Sequence, residues 1–269
     1  PNGAGKTTTI KILTGLLKAD RGKIKIFSEE IDKELPVWIK EKMGVVFEES
    51  NLYSRLTALD NLNLFAGINQ VSRDKVTELL EEYQLQYAAK KEVKNFSKGM
   101  KKRLMICRAL MAEPEILILD EATGGLDPIS AEIIREKVLD LKKEGKTVLL
   151  STHYLEEADR LCDRIAFINQ GRVIAVDKPE VFKDSLKEKF LELKLLYNKE
   201  TNKNKLKSKI ESIIDKEDNY YLKEDYFILE LNIKQGVFNK AAEIEKDFKL
   251  LEMNKIEADL QQVFNKLNS

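Results

Sequence analysis

The sequence predicts an α/β protein with a parallel sheet flanked by helices, followed by a smaller α+β unit. Three observations carry that expectation. Short apolar runs recur between helical stretches, a glycine-rich loop opens the chain and runs straight into a helix, and the composition changes after Lys178-Pro179. Runs without polar alternation suit strands covered on both faces, as in a parallel sheet between helix layers. A length of 269 residues fits one large or two modest domains, and 43% hydrophobic content is enough for a core. Lys plus Arg equals Asp plus Glu at 46 each, so no net field draws the chain to nucleic acid or to an anionic membrane surface. No apolar run reaches the ~18 residues of a membrane span. Cys107 and Cys162 lie far apart within helical stretches and read as two buried, reduced thiols in a cytosolic protein.

The first element is "PNGAGKTTTIKILTGL". It resembles the second half of the phosphate-binding loop G-x-x-x-x-G-K-[ST]. The first glycine of that pattern would lie one residue before Pro1, and no initiator Met is present, so the chain reads as a fragment lacking the strand that feeds the loop. Glycines at 3 and 5 let successive backbone N–H groups of Asn2, Gly3, Ala4 and Gly5 converge on phosphate oxygens at a helix N-terminus. Lys6 would reach the outer phosphates, Thr7 would offer a hydroxyl to Mg²⁺, and Thr8 is placed to touch a phosphate nearer the ribose.

The strands expected next are "MGVVF" at 43–47, "EILILD" at 115–120, "KTVLLS" at 146–151 and "RIAFIN" at 164–169. Between Ala58 and Ala89, "TALDNLNLFAGI" and "RDKVTELLEEYQL" carry apolar residues at three- and four-residue steps and read as helices. The run Ile116–Leu119 delivers Asp120 and Glu121 to the carboxyl end of a buried strand, where ligands of open α/β sheets collect. Asp120 can hold Mg²⁺ through its hydration shell, and Glu121 can polarise an attacking water.

Beyond Arg172 no arginine occurs, and "YNKETNKNKLKSK" at 197–209 reads as a polar connection entering a helix. Strand-like segments at 189–196, 219–222, 226–233 and 249–256 enclose helices at about 204–215 and 237–247, with a final helix after them. That order is compatible with a small ferredoxin-like domain.

Taken in order, "GAGKTT", "NFSKGMKKRL", "ILILDEATGGLDP" and "LLSTHYLEEADRL" resemble the nucleotide-binding subunit of an ABC transporter across residues 1–180. The resemblance implies a P-loop NTPase of the ABC ATPase type, with a helical subdomain at about 50–112 and an accessory α+β domain at 181–269. It implies ATP and Mg²⁺ as cofactors. Phe96-Ser97-Lys98-Gly99-Met100 stands where the family signature Leu-Ser-Gly-Gly-Gln occurs, so Ser97 and Gly99 are expected to meet the γ-phosphate of ATP held by the opposite subunit. Ser97 also suits a helix N-cap, where dipole and hydroxyl both favour anions. Lys98 and Met100 depart from the family pattern. Asp127, in "GGLDP", matches the loop linking two active sites, and Pro128 suits the first position of the next helix. His153 matches the histidine that hydrogen-bonds the γ-phosphate. Glu48 stands where the family has glutamine, touching Mg²⁺ and the attacking water; a carboxylate still coordinates the metal but donates no hydrogen bond.

Because a phosphate loop and a signature segment of one subunit do not meet in the family, the resemblance implies a head-to-tail homodimer or heterodimer closing on two ATP molecules. A separate transmembrane permease would touch the region around Asn51 to Arg55, placing the subunit on the cytoplasmic face of the membrane. The closing "EADLQQVFNKLNS" resembles the C-terminal extensions of ABC-2-type exporter ATPases, which points to export of a drug, lipid or antibiotic. The alternative is a soluble ATP-dependent clamp or regulatory ATPase of the same superfamily. No partner of nucleic acid is implied, and "NKIE" at 254–257 lacks the aspartate that would read guanine.

Overall fold

The computed structural model describes residues 1–31, 34–185, 189–197, 203–215, 218–223, 225–233, 237–257 and 259–267. They form two compact units, Pro1–Val176 and Asp177–Ser269, a division just ahead of the 180/181 boundary expected from composition.

In the first unit, α1 (Lys6–Leu13) starts behind Gly5, whose φ of 104° only glycine adopts without strain. A short antiparallel hairpin follows, β1 (Ile24–Ile26) and β2 (Glu29–Ile31), turning through Phe27 and Ser28 at φ 52° and 67°. Its strands were not anticipated, since "FS" lacks the Asn-Gly or Gly-Gly signal that usually marks such a turn. After α2 (Val37–Glu41), the strands β3 (Met43–Val46), β4 (Ile116–Asp120) and β5 (Thr147–Ser151) make a parallel sheet in that order. Val45 stands opposite Ile118, and Asp120 opposite Ser151.

The four expected strands are present, but the expectation of cover on both faces holds unevenly. Leu117, Ile118 and Leu119 of β4 are buried, as its central place requires. On β5, by contrast, Thr147 and Leu149 are exposed and alternate with partly buried residues, because among the described residues this strand is the sheet edge. A last hairpin, β6 (Ile165–Asn169) with β7 (Arg172–Asp177), turns through Gln170 and Gly171, both at positive φ.

The helical part contains α3 (Ala58–Asn69), α4 (Arg73–Glu82) and α5 (Lys98–Leu110). One rule starts all three: Thr57, Ser72 and Ser97 accept the backbone N–H of Asp60, Lys75 and Met100 through their hydroxyls. Their inner faces share a single core with the sheet, in which Leu62, Leu79 and Leu104 pack together with Val46, Leu117 and Leu119. Arg103, almost wholly buried, sends Nη1 to the carbonyls of Tyr83 and Gln84 and so caps the end of α4. Cys107 is buried in α5, whereas Cys162 is half-buried just past α7 (Leu155–Leu161), and neither is bonded to the other. The sheet is completed on its helix side by α6 (Pro128–Lys143), whose N-cap is Asp127.

In the second unit, α8 (Pro179–Ser185) precedes β8 (Lys189–Leu196), α9 (Lys203–Ile213), β9 (Asn219–Leu222), β10 (Tyr226–Asn232), α10 (Val237–Glu245), β11 (Lys249–Glu257) and α11 (Leu260–Leu267). The sheet order is β11-β8-β10-β9 and every pairing is antiparallel. This is the ferredoxin-like arrangement of a β-α-β-β-α-β chain. Strict alternation on β10 sends Phe227, Leu229 and Leu231 to the face where Leu191, Leu193 and Leu195 of β8 already lie, and α9 and α10 close it with Leu206, Ile210 and Ala241. Among the described residues no helix is long and apolar enough to cross a membrane.

Candidate functional site

The site assembles at the carboxyl end of the parallel sheet, where β4 and β5 end beside the N-terminus of α1. The loop from Asn2 to Gly5 is held by Ala4 N–H donating to the Pro1 carbonyl and by Gly171 N–H donating to the Ala4 carbonyl. Gly3 and Gly5 both have positive φ, and the loop they shape lines one cavity of about 450 Å³. That cavity is lined by the loop through Thr8, by Glu48, by Glu121 and by His153.

Contacts across long sequence separations fix the geometry. Thr7 Oγ1 donates to Asp120 Oδ2 at 2.8 Å, tying the first turn of α1 to the end of β4. The other carboxylate oxygen of Asp120 accepts the Ser151 hydroxyl from β5. Lys6 Nζ lies 3.2 Å from Glu121 Oε1 and donates to the Pro1 carbonyl at 2.9 Å. His153 Nδ1 lies 2.8 Å from Glu121 Oε2, and against a carboxylate that nitrogen carries the proton, leaving Nε2 as the other ring position. Glu121 therefore sits between a lysine and a histidine with only 9% of its side chain exposed. Its φ of 48° is unusual for a residue with a Cβ. The Ser151 carbonyl and hydroxyl hold that strained backbone by accepting its N–H.

Glu48 is placed by its backbone. Lys102, buried within α5, donates from Nζ to the carbonyls of Phe47 and Glu48 at 2.9 and 3.0 Å, fixing the segment just after β3. Burial pushes the Lys102 ammonium down to about 8, against the pull of the Glu48 carboxylate nearby.

Three further expected residues, Ser97, Gly99 and Asp127, do not line this cavity. Ser97 caps α5 through Met100 N–H at 3.2 Å, and Asp127 caps α6 through Ser130 N–H at 2.9 Å. Hydrogen bonds from the Ser130 amide and hydroxyl hold the Asp127 carboxyl below the usual range. Gly99 is buried against Ser130. Met100, the other departure in this segment, is a core residue.

Sequence reasoning assigns no role to Lys102 or Ser151, and leaves Lys98 either adding positive charge near phosphate or pointing to solvent. Lys98 reaches the cavity wall with Gly124 and Gly125, its Nζ lying 2.7 Å from where a Cβ on Gly125 would stand. Charge at 98 was visible as a departure from pattern, but its direction depends on tertiary placement. Ser151 and Lys102 are ordinary residues of a strand end and a helix, and no local signal marks them.

The donor set fits magnesium and a polyphosphate. Consecutive amides at a helix N-terminus, together with Lys6, suit phosphate oxygens, and Thr7 with Asp120 offers one hydroxyl and one carboxylate on a single side. Among the described residues there is no cluster of three or more His, Cys, Asp or Glu suited to a metal ion.

Comparison with known proteins agrees with this geometry. The family model described as ABC transporter matches residues 1–124. The chain is 42% identical over 186 residues to a fluoroquinolones export ATP-binding protein of Mycobacterium tuberculosis (strain CDC 1551 / Oshkosh), covering 68% of this chain and 60% of that protein. It is 43% identical over 180 residues to the linearmycin resistance ATP-binding protein LnrL of Bacillus subtilis (strain 168), covering 65% and 58%. The chain thus spans about three fifths of the length of the curated relatives it matches. Among solved structures, an ATP binding subunit of an ABC transporter matches with a TM-score of 0.61 at 33% identity, over 70% of this chain and 79% of that one. A dimeric post-hydrolysis state of the ATP-binding cassette MJ0796, bound to ADP and Pi, matches with a TM-score of 0.60 at 30% identity, over 66% and 82%. On these matches the chain belongs to the ABC transporter family, as an ATP-binding cassette.

Proposed function

We propose that the chain is the ATP-binding and ATP-hydrolysing part of a subunit that powers a separate membrane permease, in an exporter of the ABC-2 type. One observation carries the reading: Lys6, Thr7, Glu121 and His153, drawn from three distant segments, line one cavity, and Asp120, buried behind it, is bonded to Thr7. Relatives named as export ATP-binding proteins support the direction of transport. In this reading residues 1–180 are the ATPase domain, with a helical subdomain at about 50–112, and 181–269 an accessory domain.

The loop amides from Asn2 to Thr8 bind the phosphates, and Lys6 leaves Glu121 to meet them. Thr7, Asp120 and Glu48 hold Mg²⁺, which when bound neutralises charge on the outer phosphates. Glu121 orients water against the γ-phosphorus and takes its proton. His153 Nε2 faces the γ-phosphate while its Nδ1 stays on Glu121. Ser97, Gly99 and Asp127 act on the ATP of the opposite subunit in a head-to-tail homodimer or heterodimer, and loss of the γ-phosphate lets the pair open. The dimeric cassette bound to ADP and Pi supports that assembly. The permease holds the subunit to the cytoplasmic face of the membrane and chooses the drug, lipid, antibiotic or similar cargo.

Glu121→Gln tests the assignment. Hydrolysis should fall by about a hundredfold or more while ATP binding persists. A soluble ATP-dependent clamp would lose nothing, and that result would replace the transport ATPase reading.

A further inference from the structure

Gly99 stands near the start of α5, among residues with ordinary helical backbone, where glycine costs about 1 kcal/mol relative to alanine. Unlike Gly3 and Gly5, it has no positive φ to account for its choice. Its surroundings do account for it. A Cβ at 99 would lie 2.3 Å from Ser130 Oγ, 2.6 Å from Ser130 Cβ and 3.4 Å from Asp127 Oδ2. A hydroxyl can rotate away, but a Cβ is fixed to its helix, and carbon atoms pack at about 3.5–4.0 Å. Ser130 is itself buried, and its amide donates to Asp127 Oδ1 at 2.9 Å. The start of α5 and the cap of α6 are therefore in direct contact through one serine.

The geometry points to Ser130 as a positioning residue that locks the Ser97–Gly99 segment to Asp127 within one chain, so that the two elements a protomer lends to its neighbour's ATP move as one body. This rests on the reading of Ser97, Gly99 and Asp127 as contacts to the opposite subunit. The lock works because glycine at 99 lets the side chain of Ser130, whose amide donates to Asp127, rest directly on the start of α5. A shift of α5 then carries Asp127 with it, while Ser97, Gly99, Asp127 and Ser130 stay outside the nucleotide cavity of the same chain, which this segment meets only through Lys98.

The test is a series at two positions, reading melting temperature, ATPase kcat and the affinity for ATP of the isolated subunit. Gly99→Ala should lower the melting temperature by roughly 5 °C and kcat by about tenfold or more, with ATP affinity unchanged. Adding Ser130→Ala, which keeps the offending Cβ, should restore little. Adding Ser130→Gly, which removes it, should restore most of both losses. A merely destabilising role would lower ATP affinity along with kcat, and that result overturns the proposal. So does a Gly99→Ala/Ser130→Gly protein whose stability recovers while kcat does not, because Gly99 would then serve the neighbouring ATP without the lock. Should Gly99→Ala fail to fold, a folded double variant is itself the rescue. A wild-type protein without ATPase activity would sink the functional reading, and the melting series would then decide the lock by the same order of rescue.

Discussion

Replacing Lys102 by methionine should separate stability from activity. The ammonium is nearly inaccessible, at 3% exposure, and spends its donors on the carbonyls of Phe47 and Glu48. Each such bond to a charged donor contributes ~1.5–3 kcal/mol. Against that stands the cost of burying the charge, which burial expresses as a fall from 10.5 to about 8, eased by Glu48, Asp120 and Glu121 and worsened by Lys98. Lys102→Met removes both terms, so at pH 7 global stability should change by no more than ~1–2 kcal/mol. The segment carrying Glu48 nevertheless loses its anchor, and kcat should fall by about tenfold.

The pH dependence gives the sign. Below pH 8 both folded and unfolded chains hold the proton, so the burial penalty is fully present. Between pH 8 and 10.5 the unfolded chain binds more protons than the folded one, and stability rises with pH. At pH 9.5 the wild type should gain roughly 1–2 kcal/mol relative to Lys102→Met, after allowance for screening. Urea midpoints of the two proteins at pH 7 and 9.5 measure that gain. Parallel pH curves, or an activity that survives the substitution, would refute the reasoning.

Two other substitutions probe the frame and the cavity. Gly44→Ala on β3 would place a Cβ 2.5 Å from the Ala109 carbonyl oxygen and 3.0 Å from Pro114 Cγ; backbone cannot step aside, so a loss of about 3 kcal/mol or more is expected in denaturant unfolding, and an unchanged midpoint would contradict the packing. Glu48→Gln exchanges a carboxylate for an amide at the cavity wall, and the Mg²⁺ concentration for half-maximal hydrolysis should rise about two- to fivefold; no shift would remove Glu48 from the metal site.

What was legible in the sequence followed from local chemistry. Apolar runs located β3, β4, β5 and β6, and Ser97 could be read as a cap because a hydroxyl before a helix has one dominant use. In the second unit the alternation of β10 and the order of elements gave the topology, since few sheets accept β-α-β-β-α-β. The β1–β2 hairpin escaped because three-residue strands and a turn without glycine leave no pattern to count. At the site, Thr7, Glu121 and His153 on the cavity wall and Asp120 buried behind it announced themselves through motif spacing. Ser151, Lys102 and Ser130 did not, because each works by where it lands in three dimensions, beside a carboxylate, a carbonyl pair or a glycine. The half-open face of β5 was likewise invisible, since burial of an apolar run depends on its neighbours.

Among the described residues, two of the hydrophobic clusters share no residue: one draws its side chains from positions 46 to 162, the other from 191 to 250. Damage to either is therefore largely local in its energetic effect. Substitutions among Leu193, Phe227 and Leu229 can accumulate or be selected without altering the packing behind the phosphate loop. Each cluster therefore has its own tolerance for substitution, set by the side chains within it.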